Sequence, residues 1–70
     1  MDRKMTTDEL KFCITTAGLL GDAKRAAQSF DYGGLKYITQ IATACPIKNS
    51  GWLTFGVLDD LANSLTGRNA

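Results

Sequence analysis

Met5-Thr6-Thr7-Asp8-Glu9-Leu10 is the stretch on which the reading of this chain turns. A threonine followed three residues later by a glutamate is the sequence form of a capping box. The Thr6 hydroxyl can take the amide of Glu9, and the Glu9 carboxylate can reach back to the amide of Thr6. Met5 and Leu10 stand where a hydrophobic staple clamps the incoming chain against the first turn. A helix therefore starts at residue 7. From it, Leu10, Cys13, Ile14, Ala17 and Leu20 recur at helical spacing, with Lys11, Thr15 and Thr16 on the other face. Gly21 can adopt the left-handed conformation that follows a C-cap, so the pattern predicts a first helix over 7–20.

Three more segments carry the same period. Asp22 is a suitable N-cap for a second helix over 22–32, in which Ala23, Ala26, Ala27 and Phe30 form one stripe and Lys24, Arg25 and Gln28 lie outside it. Gly33-Gly34 interrupts the pattern. A third helix over 35–45 places Leu35, Ile38, Ile41, Ala42 and Cys45 on one side and Lys36, Thr39, Gln40 and Thr43 on the other, and Pro46 ends it. Residues 46–51 are rich in turn formers and read as the longest loop. Ser50 can then cap a last helix over 51–66, with Phe55, Leu58, Leu61, Ala62 and Leu65 inward, Asp59, Asp60 and Asn63 outward, and Gly67 as its stop. Within it, the β-branched and aromatic content of residues 52–57 also suits a short strand.

The expected fold is all-α, a compact bundle of four short helices forming one domain over residues 1–70. Seventy residues bury only about 60% of the surface that the unfolded chain exposes. Chains of this size commonly complete their core by oligomerisation, so a homodimer is the expected state. Apolar residues at 44% and charged ones at 21% are ordinary globular usage and exclude a disordered or low-complexity chain.

Charge and chemistry then narrow the function. Eight basic against seven acidic residues give a net charge of +1, with a pI near 7.8 and no basic block. A nucleic-acid-binding domain normally shows a clustered basic face and a pI above about 9, so nucleic acid is disfavoured as a partner. Met1-Asp2-Arg3-Lys4 opens with charge as an export signal does, but residues 6–11 are polar where the apolar core of a signal would follow. No run approaches the roughly 18 apolar residues of a membrane span, and a cytoplasmic chain that avoids membranes is expected. The two cysteines, Cys13 and Cys45, are far apart and no histidine accompanies them, so a structural zinc site is not expected and buried free thiols are. Without histidine there is no general base to activate either thiol or a serine, and Asp59 and Asp60 project about 100° apart on a helix. Gly33-Gly34 lacks the lysine and hydroxyl that complete a phosphate-binding loop. Neither catalysis nor a cofactor or metal is expected.

Residues Cys13 to Phe30 partly resemble a helix-turn-helix of the DNA-binding kind. Ala17 followed four residues later by Gly21, with Leu20, Ala27 and Phe30 at apolar positions, carries the resemblance, and Asp22 and Thr16 depart from it. It implies a dimeric transcriptional regulator that meets DNA through Lys24, Arg25 and Lys36. The reading that elimination favours is different: a small regulatory protein, acting as an inhibitor, antirepressor or adaptor, that docks on a protein target such as a transcriptional regulator. Stand-alone chains of this size are frequent among bacteriophage regulators. Trp52 and Phe55 are the expected centre of the binding surface because the final segment carries a large apolar load for a small core, and Phe12, off the inward stripe of the first helix, with Tyr32 and Tyr37, which flank the glycine pair, are further contacts for helix-in-groove recognition.

Overall fold

In a computed structural model, residues 5–44 and 51–67 are described, and they contain four helices and no strand. The helices are α1 (Thr7–Thr16), α2 (Leu20–Gln28), α3 (Tyr32–Thr43) and α4 (Phe55–Thr66). Every pair among them is in contact, with α1 and α2 each seated mainly on α3 and α4. The radius of gyration, 10.8 Å, matches the value of about 11 Å expected for a folded domain of this length. Ser50, Cys45 and most of the 46–51 loop lie outside the described residues.

The capping box forms as the sequence predicts. The Thr6 hydroxyl accepts from the Glu9 amide at 3.2 Å, and the Thr6 amide donates to Glu9 Oε1 at 2.8 Å. Leu10 is fully buried and Met5 packs against the core beside it. The helix ends four residues sooner than predicted, because the stop is Gly18 and not Gly21. Gly18 has φ +76°, its amide donates to Thr15 O at 3.1 Å, and the Leu19 amide donates to Ile14 O at 3.0 Å. This pair of bonds is a Schellman motif, which an apolar residue after the glycine frequently accompanies by packing back on the helix. Leu19 supplies it, packing on the core that contains Ile14. Gly21 and Asp22 instead lie inside α2, which starts after Leu19 without a side-chain cap, and Asp22 occupies the first turn where a carboxylate suits the helix dipole.

Ala23, Ala26 and Ala27 are buried as predicted and let α2 approach its neighbours closely. Phe30 does not continue their stripe. It is the left-handed residue of a second Schellman motif, with φ +56°, an amide bond to Ala27 O of 3.2 Å and an Asp31 amide bond to Ala26 O of 2.9 Å. A side chain in that conformation costs roughly 1–2 kcal/mol relative to glycine.

Gly33 and Gly34 do not interrupt anything; they are the second and third residues of α3. Asp31 caps this helix by accepting from the Gly34 amide at 3.0 Å. A Cβ on Gly34 would lie 2.5 Å from Asp31 Oδ2, so any other residue there would push the capping carboxylate aside. The face that α3 turns inward differs from the one its apolar residues predict. Thr39 is fully buried, its hydroxyl donating to Leu35 O at 2.8 Å, and Gln40 is buried too. Ile41, predicted inward, is 52% exposed.

The last helix begins at Phe55, not at residue 51. Thr54 is its N-cap, accepting weakly from the Val57 amide at 3.5 Å, and Leu53 has already entered the core. Leu58, Leu61, Ala62 and Leu65 are buried as predicted, and Gly67, with φ +74°, ends the helix. Phe55 is the exception, since it faces solvent. The core is one cluster built from Leu10, Ile14, Leu35, Leu53, Leu58, Leu61 and Leu65 together with the α2 alanines.

Candidate functional site: an anchored aromatic pair

Tyr32 is the first residue of α3 and Phe55 the first of α4, so the packing of the two helices brings their starting turns side by side. The ring centroids lie 4.9 Å apart with the planes tilted by 47°, within the range in which aromatic quadrupoles attract. Asp59 stands one turn after Phe55 on the same face of α4. The Tyr32 hydroxyl donates to Asp59 Oδ1 at 2.6 Å, a short charge-assisted bond. Phe55 and Asp59 thus grip one tyrosine from a single helix face. Tyr32 and Asp59 are half-buried, while Phe55 remains 69% exposed. The surface presents an apolar ring whose orientation is already set.

The other predicted contact residues are distributed differently. Trp52 is half-buried and packs against the core, so its ring is largely committed within the chain. Phe12 is 69% exposed on α1 and lines a shallow groove of about 350 Å³ with Met5, Asp8, Glu9 and Cys13. Tyr37, 61% exposed, lies on α3 one turn before Ile41. Sequence reasoning missed two members of the exposed apolar surface, Phe30 and Ile41, by assigning both to inward stripes. It also placed Asp59 in plain solvent, although the recurrence of Phe55 and Asp59 at i, i+4 was the signal that both could reach one partner.

The residues of the helix-turn-helix resemblance are not arranged in its register. The turn is built by Ala17-Gly18-Leu19, Ala17 is an exposed C-cap, and Gly21 is within α2. Lys24 is exposed, Lys36 is half-buried, and the Arg25 guanidinium sits 3.7 Å from the Asp22 carboxylate. A second groove that includes Arg25 is also lined by Asp22 and Asp31, so a phosphate entering it would meet two carboxylates.

Among the described residues no three His, Cys, Asp or Glu side chains are grouped to hold a metal ion, and no helix is long and apolar enough to cross a membrane. Comparison of the chain with protein families, with curated proteins and with solved structures finds no match to any of them.

Proposed function

We propose that this chain is a non-enzymatic regulatory protein that works by occupying a surface of another protein, with Phe55 as the anchor. What supports this most is that Phe55 is exposed and yet held ring against ring on Tyr32, which Asp59 fixes in turn. A free surface phenylalanine loses rotamer freedom when a partner captures it. One that is already ordered gives up less, and binding energy concentrates at such pre-ordered aromatic residues. The target is a protein with an apolar pocket or groove wide enough for one ring, and its class, inhibitor target, repressor or adaptor partner, follows from its identity.

The test is affinity capture from cell extract with the wild type and Phe55→Ala, each with and without nuclease. A protein recovered by the wild type with or without nuclease, and reduced at least tenfold by Phe55→Ala without change in helicity, supports the reading. Recovery that depends on nucleic acid and is lost in Lys24→Ala or Arg25→Ala overturns it in favour of DNA binding.

A further inference from the structure

We infer that the protein surface that receives Phe55 carries an arginine, whose guanidinium lies over the open side of the Phe55 ring and pairs with the Asp59 carboxylate. This rests on the reading of Phe55 as the anchor and adds the chemistry of its partner. Asp59 stands one turn after Phe55, which sets their Cβ atoms about 5–6 Å apart. Its Oδ1 accepts from the Tyr32 hydroxyl at 2.6 Å, but that donor is neutral. Among the described residues no basic side chain pairs with the carboxylate. Helix α4 itself, with the sequence FGVLDDLANSLT, holds no basic residue. The charge beside the anchor is therefore uncompensated within the described chain.

Docking makes that charge decisive. A pocket that closes over Phe55 also takes water from Asp59, and a carboxylate desolvated without a counter-charge is costly. A purely apolar pocket would lose at Asp59 much of what it gains at the ring. A phosphate would meet the carboxylate with like charge, so nucleic acid does not fit this face. A cation satisfies both groups. Phe55 is 69% exposed, its one ring contact among the described residues is Tyr32, and a cation within about 6 Å of an aromatic centroid is drawn to the ring face. Of the two basic side chains, arginine fits better. Its flat guanidinium stacks on the ring while N–H groups at its edge donate to the carboxylate, whereas the ammonium of lysine is a compact and more strongly hydrated point charge. Asp60 is exposed but projects about 100° from Asp59, so it stands outside this contact.

Selection of a displayed random peptide library on the immobilised wild-type chain, after depletion on Phe55→Ala, tests this. The enriched peptides are expected to carry an arginine close to an apolar residue. They are expected to bind Asp59→Asn at least about fivefold more weakly than the wild type, and Asp60→Asn within about twofold. Asparagine at 59 keeps an acceptor for the Tyr32 hydroxyl, so the loss reads charge and not release of the ring pair. Replacing the arginine of a selected peptide by citrulline, its uncharged isostere, is expected to cost about the same on the wild-type chain and little on Asp59→Asn. Peptides that need Phe55 but hold no arginine, or that bind Asp59→Asn as tightly as the wild type, overturn the proposal and leave Phe55 as the anchor. Enriched peptides that bind Phe55→Ala equally well overturn the anchor reading and this proposal with it. A selection that enriches nothing overturns the proposal alone, since capture of a folded target still tests Phe55.

Discussion

Tyr32→Phe removes one hydroxyl and leaves the ring, which makes it the cleanest probe of how the surface aromatic pair is held. The hydroxyl donates to Asp59 Oδ1 at 2.6 Å across 27 positions of sequence, tying the start of α3 to α4. A hydrogen bond to a charged group contributes about 1.5–3 kcal/mol when well buried. Both partners here are half-buried, and water replaces part of what is lost, so about 1 kcal/mol is expected. For a chain of this length total stability is about 3–10 kcal/mol, and a loss of 1 kcal/mol lowers the melting midpoint by roughly 4–8 °C. Urea unfolding followed by circular dichroism, on Tyr32→Phe, Asp59→Ala and the double variant, isolates the pair. The coupling energy is expected near 1 kcal/mol, with the double variant little worse than the worse single one. A coupling below about 0.3 kcal/mol refutes the idea that Asp59 anchors the pair.

Other variants probe the fold and the surface separately. Thr6→Ala removes the acceptor of the capping box and is expected to cost about 1 kcal/mol in the same unfolding assay. Gly34→Ala forces a Cβ against the Asp31 carboxylate and is expected to destabilise, whereas Gly33→Ala has room and is expected to be neutral or stabilising in the monomer; equal effects would contradict the assignment of the Asp31 cap. Leu61→Ala, at a fully buried position, is expected to cost 2–5 kcal/mol and to approach global unfolding.

Much of the architecture was legible in the residues because short-range rules decide it. The capping box at Thr6 and Glu9, the alanine stripe of α2 and the leucine period of α4 each depend on neighbours within two turns. What escaped was decided by competition between equivalent local signals. Gly18 and Gly21 can both end a helix, and the local pattern does not choose between them; the helix stops at Gly18, where Leu19 then packs on the core. Asp22 and Asp31 can both cap, and the glycine three residues after Asp31 makes room for its carboxylate. The face of α3 that packs inward carries Thr39 and Gln40 while Ile41 is exposed, a choice set by packing against the other helices and not by apolar period, so the surface was less legible than the core. The pairing of Tyr32 with Asp59 spans 27 positions, and a periodic pattern carries no information on which helix ends meet.

The measurement that bears most directly on the proposed role is site-specific photo-crosslinking in cells. A photoreactive phenylalanine analogue placed at Phe55 is expected to give one discrete protein adduct, and the same analogue at exposed Asp60 on α4 to give none. Adducts that form equally at both positions, or none at Phe55, would contradict a role for this ring as the anchor of a protein complex.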